Sequence, residues 1–189
     1  MPKAGYLTVI GIVLLAVGLG VFNLVYQRQR TANATAYWGH DRVPMIDADQ
    51  VELALLENAD APGPPATSQA VKFLTVDGGR YREAETKPGD EARGLHNVRH
   101  AWLDDGAFLW DASPPSVPPR YRYALHFSHD GQEATVLFSD DGLWVRSPHQ
   151  AKPLKVKPHE NGVSPFLAFL HEQFPPPKAD DKAEPKTQP

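Results

Sequence analysis

Residues 6–26 form an uncharged, almost entirely apolar segment, and this segment constrains the chain more than any other feature. A helix rises about 1.5 Å per residue, so a segment of this length spans a hydrocarbon core of roughly 30 Å. Tyr6 and Tyr26 lie at its two ends, where aromatic rings favour the membrane–water interface. The sequence therefore predicts a single-pass membrane protein with an N-terminal transmembrane anchor over residues 1–30, in contact with the lipid bilayer through residues 6–26.

A secretory signal peptide is the competing interpretation of the same segment. A basic start at Lys3 fits a signal peptide, and so do the small residues Ala32, Ala34 and Ala36, which follow the Ala-x-Ala spacing of a cleavage site. Two features oppose it: the apolar run is longer than a signal core, and Arg28 and Arg30 precede the spacing, where a cleavage region is normally uncharged. We expect the anchor to be retained, with an exported soluble protein as the alternative. Basic residues nearly balance on the two flanks, so they leave the side of the soluble domain undetermined.

Small residues occur in two patterns within the apolar segment. Gly11 and Gly18 are seven residues apart and share a helix face, and Ala16 and Gly20 form a small-xxx-small pair. Because packing rather than hydrophobicity drives helix association in lipid, small residues let another helix approach closely. Glycine is common in transmembrane helices in any case. The pattern favours packing against other membrane protein subunits without requiring it.

The rest of the chain is acidic and contains no cysteine. The anchor holds three of the 19 basic residues and no acidic one, which leaves 16 basic and 23 acidic residues, a formal charge of −7. Such a domain is a poor candidate for binding nucleic acid, and we predict no nucleic-acid partner. The absence of cysteine excludes disulfides, thiolate catalysis and Cys-ligated zinc.

Composition divides the remainder into three parts. Residues 31–46 are predicted to be a connector that leaves the membrane. Residues 47–174 are long enough for one soluble domain with its own core. Residues 175–189 are rich in proline and charge without apolar periodicity, so we expect a disordered tail there.

Apolar periodicity in the domain predicts an α+β fold, with a small antiparallel sheet and one or two packed helices. Residues 49–57 fit a strand by alternation and a helix by propensity, and we favour the strand. Residues 120–128 give the clearest strand, with Tyr121 and Tyr123 on one face. The predicted strands span residues 49–57, 70–76, 80–85, 120–128, 133–138, 143–146 and 152–157, and the predicted helices span residues 91–103 and 164–174.

Candidate catalytic chemistry is sparse in this sequence. His96 and His100 are four residues apart and would share a helix face, which makes them weak metal-ligand candidates because no nearby carboxylate completes a set. Asp104 and Asp105 directly precede a glycine, as turn residues do. No nucleotide-binding or hydrolase motif occurs, and we predict no catalytic residue and no cofactor.

A mixed basic and aromatic patch is the main candidate for binding a partner. Strand alternation places Arg120, Arg122, Trp144 and Arg146 on the face opposite the predicted core. Arginine and tryptophan are enriched at interface hot spots, so these residues suit a protein contact. The alternative is that a second helix covers Trp144.

These observations favour a single-pass membrane-anchored accessory or scaffolding subunit of a larger membrane protein complex, with a non-catalytic binding role. The packing positions in the anchor and the lack of a catalytic motif both point to that function. The alternative is a membrane-tethered enzyme or a domain that binds a small ligand or a metal, which would need a polar pocket built from separate elements.

Overall fold

A computed structural model describes residues 3–59, 72–90, 92–113, 115–157 and 163–175. The fold is α+β: an apolar N-terminal helix is followed by a seven-stranded antiparallel sheet, shaped as a half-barrel, with helices packed on it. This confirms the predicted fold class. The predicted tail lies outside the described residues beyond Pro175.

Five α-helices occur in the described residues: α1 (Lys3–Arg30), α2 (Ala32–Trp38), α3 (Arg42–Asp47), α4 (Leu95–Trp102) and α5 (Val163–Gln173). Short 3-10 turns follow α2 at Gly39–Asp41 and α4 at Asp105–Ala107. The α4 helix starts later than the sequence predicts, because Gly94 has a left-handed φ of 85° and Leu95 is the first helical residue.

The strands are β1 (Gln50–Asn58), β2 (Phe73–Val76), β3 (Gly79–Pro88), β4 (Tyr121–His129), β5 (Gln132–Ser139), β6 (Trp144–Arg146) and β7 (Leu154–Lys155). Their order across the sheet is β2-β3-β1-β4-β5-β6-β7. The last four form the meander that the tight turns in the sequence predict. The first strand lies in the middle, where Leu53 and the adjacent Ala54 are both buried on opposite faces, which explains why its sequence is apolar almost throughout.

The main core lies between one face of the sheet and the helices. Trp38 and Trp102 are fully buried there, with ring centroids 6.4 Å apart, and Trp102 packs on Phe138 of β5. The same cluster takes in Phe166 of α5, so helices from both ends of the domain share one core. Burial of these large rings is the main source of stability in the fold.

The segment predicted as a connector, residues 31–46, is folded into the domain. It contains α2 and most of α3, and Ala34 and Met45 have no exposed surface. Packing of the chain into the domain core therefore begins directly after the apolar helix.

The second face of the sheet carries a smaller apolar cluster: Ala54, Leu56, Val76, Tyr121, Ala124 and Leu137. A register shift between Tyr121 and Tyr123 sends these two side chains to opposite faces, so the prediction that they share one face was wrong. Val76 belongs to β2, an edge strand, yet it joins a cluster with β5. The sheet therefore curls enough to bring the β2–β3 hairpin over its own second face.

Candidate functional site

The first candidate site is the junction between the apolar helix and the domain, which we define as residues 30–34 with Asp104 and Asp105. Only Thr31 separates α1 from α2. Arg30, the last residue of α1, forms an ion pair with Asp104. The carboxylate of Asp105 accepts hydrogen bonds from the backbone N–H groups of residues 33 and 34, at 3.1 Å and 2.7 Å. The domain thus holds the chain on both sides of the α1–α2 boundary.

The Asp105 carboxylate caps the N-terminus of α2 from a distant part of the sequence. The first N–H groups of a helix have no partner within the helix, and a carboxylate there satisfies them and complements the helix dipole. Asp104 has a different role in the same turn, because its side chain accepts the N–H of Gly106 at 2.8 Å. The sequence predicted the turn at these residues but contained no signal for the contact with α2.

Aromatic residues extend the junction into the core. The indole N–H of Trp38 donates to the carbonyl of Trp102 at 2.6 Å, and the indole N–H of Trp110 donates to the carbonyl of Asp105 at 2.9 Å. Tyr37 packs on Trp110 and its hydroxyl donates to the carbonyl of Lys152 at 2.8 Å. Burial raises the pKa of Tyr37, so its hydroxyl stays a donor at neutral pH. These bonds fix α2 on the domain.

Over residues 9–26, whose side chains the structure describes, the apolar part of α1 is exposed and makes no comparable contact with the domain. By length and composition, Val9–Arg30 is long and apolar enough to cross a membrane. Its most apolar stretch has a mean hydropathy of 2.4, and none of that stretch is buried. A Cβ atom placed at Gly11, Gly18 or Gly20 would have no neighbour within 4 Å, and Ala16 is exposed. The small-residue positions therefore lie on bare helix surface.

The predicted arginine–tryptophan patch is divided by the structure. Arg120 is exposed, and Arg122 is partly exposed and forms an ion pair with Asp140 at 3.2 Å. Trp144 is half-buried, and the ammonium of Lys155 lies 5.7 Å from its ring centre. Arg146, by contrast, is buried.

Arg146 joins two distant parts of the half-barrel. Its guanidinium forms an ion pair with Asp77, at the turn of the β2–β3 hairpin, and donates to the carbonyl of Gln150 at 3.0 Å. Burial lowers the pKa of Arg146, but the bond and charge of Asp77 outweigh burial, so the pKa is raised overall. Burial raises the pKa of the neighbouring Tyr121. This ion pair holds the hairpin over the second face.

A second polar cluster on the same face was not predicted from the sequence. The Nε2 atom of His126 lies 3.0 Å from a carboxylate oxygen of Glu83, and its Nδ1 atom lies 2.9 Å from the hydroxyl of Thr135. The Glu83 side chain is only 7% exposed. Register places His126 directly opposite Thr135, whereas Glu83 is two strands away. Strand pairing alone accounts for the contact between His126 and Thr135. The contact between His126 and Glu83 forms because the sheet curls.

The histidine pair predicted as a weak metal site is present but has no third ligand among the described residues. His96 and His100 lie on exposed α4 positions, with their ring centroids 4.4 Å apart. Within the described part of the chain, the group with three potential ligands within 4.8 Å of one another is Asp49, His129 and Asp130. Its carboxylates contact opposite nitrogens of the imidazole, at 3.0 Å and 3.7 Å, and both are exposed.

No protein-family model matches this chain, and neither a curated protein nor a solved structure matches it. The junction and the clusters on the second face are therefore interpreted from their own contacts.

Proposed function

We propose that this protein is a single-pass membrane protein whose α+β domain serves as a non-catalytic accessory or scaffolding subunit of a larger membrane complex. The exposed α1 helix supports the membrane assignment. In water, an apolar helix of this length would leave an unusually large apolar surface uncovered. A bilayer covers that surface, and a helix satisfies its own backbone hydrogen bonds in lipid.

The observation that carries the proposal is the burial of residues directly after the apolar segment. Signal cleavage at the Ala-x-Ala spacing between Ala32 and Ala36 would cut α2. It would separate Ala34, which has no exposed surface, from the domain, and remove the N–H groups that Asp105 binds. A cleaved signal normally lies outside the mature fold, so this packing supports a retained anchor.

The polar clusters support a binding role over a catalytic one. The Arg146 guanidinium is held by Asp77 and by a backbone carbonyl, and Nδ1 of His126 lies 2.9 Å from the hydroxyl of Thr135. Side chains committed in this way stabilise the half-barrel. The bare small-residue positions of α1 support contact with another membrane helix.

The anchor is tested on membranes from cells that express the full chain. We expect the protein to stay in the pellet after alkaline carbonate extraction, with an intact mass that includes residues 1–30. Leu14→Arg combined with Val17→Arg should release it, because each arginine at mid-helix costs about 2.5–3.5 kcal/mol of insertion free energy. Leu14→Ala combined with Val17→Ala is the matched control. Release of the unmodified chain, or a mature N-terminus beyond Arg30, contradicts the proposal.

The subunit role is tested by mild detergent extraction and mass spectrometry of co-purifying chains. We expect at least one membrane protein to co-purify stoichiometrically. Gly11→Leu combined with Gly18→Leu should lose that partner, whereas Val17→Leu adds bulk at a different helix position and should keep it. A monodisperse monomer without partners would overturn the accessory role.

A further inference from the structure

We propose that the domain rests against the lipid headgroup layer in one fixed orientation, with the Asp104–Asp105 turn as its membrane-facing point. The partner is the headgroup layer of the bilayer itself. This inference rests on the proposed function, since it requires α1 to cross the membrane.

The distance along α1 places the turn near the lipid. The apolar segment ends at Tyr26, and Arg30 lies four residues further along the helix, which corresponds to about 6 Å. The headgroup region is roughly 5–7 Å thick on each side of the hydrocarbon core. Arg30 forms an ion pair with Asp104. The Asp104 carboxylate therefore lies at the depth of the headgroups.

The chain has no flexible segment that would let the domain move away. A Gly/Ser-rich linker allows free tumbling, but here Thr31 alone lies between the two helices. The next residues are held by Asp105, and Trp38 is buried with a hydrogen bond to Trp102. A swing of the domain, which includes α2, relative to α1 would pivot at Thr31 and break the Arg30–Asp104 pair and the bond that the Thr31 hydroxyl donates to the carbonyl of Gln27.

The side chains around the turn suit an interface between apolar and polar surroundings. Arg28 is exposed and can reach lipid phosphates. Trp110 is half-buried beside the turn, and its neighbour Leu109 is 40% exposed. Tryptophan is enriched at membrane interfaces because one end of its ring is apolar and the other donates a hydrogen bond. The face that α1 holds toward the bilayer thus carries residues that tolerate headgroups.

The absence of cysteine makes single-cysteine spin labels a clean probe. Leu109→Cys reports next to the turn. Asp130→Cys reports at the exposed tip of the β4–β5 hairpin. Phe138, on which Trp102 packs, lies at the opposite end of that hairpin. In nanodiscs of zwitterionic lipid with a few gadolinium-chelating headgroups, we expect paramagnetic relaxation at Leu109→Cys to exceed that at Asp130→Cys at least threefold.

Two insertions between Gln27 and Arg28 supply the controls, and both leave the residues of the Arg30–Asp104 pair and of the Asp105–α2 contact in place on the domain side. Seven Gly/Ser residues should make relaxation at the two labels nearly equal. Seven helix-forming residues add two helical turns and move the domain about 10 Å away from the bilayer. Relaxation should then be weaker at both labels, but it should remain stronger at Leu109→Cys than at Asp130→Cys.

Equal relaxation at the two labels in the unmodified chain overturns the fixed orientation. Failure of the proposed anchor is distinguishable, because the labelled protein would then leave the nanodisc and neither label would respond.

Discussion

Tyr123 shows how burial of one hydroxyl ties stability to pH. Its ring has no exposed surface and packs near Phe174, with centroids 6.1 Å apart. Burial raises the pKa of Tyr123 from its ordinary value of 10 to about 12, because the phenolate would lose its hydration inside the fold. The folded state therefore favours the protonated, neutral hydroxyl of Tyr123.

The raised pKa predicts a loss of stability at alkaline pH. Below pH 10 the hydroxyl is protonated in both states, and the unfolding free energy does not depend on it. Between pH 10 and about 12 the unfolded chain releases the proton while the folded chain keeps it, so the unfolding free energy falls as pH rises. We expect Tyr123→Phe to reduce this slope in detergent-solubilised protein unfolded by guanidinium at pH 8 to 11.5. At pH 8 the variant should match the unmodified chain to within about 1 kcal/mol, and an unchanged alkaline slope would contradict the prediction.

The contact between Asp105 and α2 could not be predicted from the sequence. Asp-Asp-Gly has the composition of a turn, and the turn is present. The second carboxylate, however, binds an N–H group 71 residues earlier in the chain. No periodicity or spacing carries that information, because the contact arises only after α2 and α4 have packed on one core.

At the scale of elements, the ion pair between Arg146 and Asp77 ties the turn of the β2–β3 hairpin to β6. The Arg146 side chain is 8% exposed and that of Asp77 is 25% exposed, so water does little to support either charge alone. Removing one partner of a buried pair leaves the other charge uncompensated, which costs about 3–5 kcal/mol. The hairpin is thus sensitive to a polar substitution at either partner of this pair.

A double-mutant cycle tests this dependence. Because the Asp77 side chain is 25% exposed, the cost is lower than for a fully buried pair: we expect Asp77→Ala and Arg146→Met each to destabilise the protein by about 2–4 kcal/mol, with the double variant losing clearly less than their sum. The coupling free energy should exceed about 1 kcal/mol. The more exposed pair of Arg122 and Asp140 is the matched control, with an expected coupling of about 0.2–1 kcal/mol. Equal coupling in the two cycles would show that Asp77 does not anchor the hairpin.

Sequence periodicity was sufficient to predict most of the strands and the longer helices. It did not predict correctly which face of the sheet every side chain lies on. The alternation of residues 120–128 gave a strand that the structure places at Tyr121–His129. The register shift beside Tyr121 was not visible, because a bulge changes the hydrogen-bond ladder without changing the pattern of residue types. The two helices directly after α1 were not predicted, since α2 and α3 are too short for a helical period to stand out.

At the scale of the whole molecule, the apolar helix and the domain are parts of one continuous structure. Two truncated chains test where the domain begins. A chain that starts at Thr31 keeps α2 and the Asp105 cap, and we expect cooperative unfolding without detergent. A chain that starts at Tyr37 loses Ala34 and the cap, which should cost about 2–4 kcal/mol and lower the melting temperature by roughly 10 °C.

Differential scanning calorimetry of both truncated chains measures the difference. Equal melting temperatures would mean that the residues before Tyr37 are dispensable, as in a signal peptide and its cleavage region. That result would weaken the retained-anchor proposal directly.

The shared tryptophan core also has a consequence for biosynthesis. Trp38 is translated 64 residues before its hydrogen-bond partner Trp102, and Phe166 of the same core is translated later still. Domains complete their packing only when all of their long-range partners have been translated. The core around Trp38 therefore stays incomplete during translation until α5 has emerged from the ribosome.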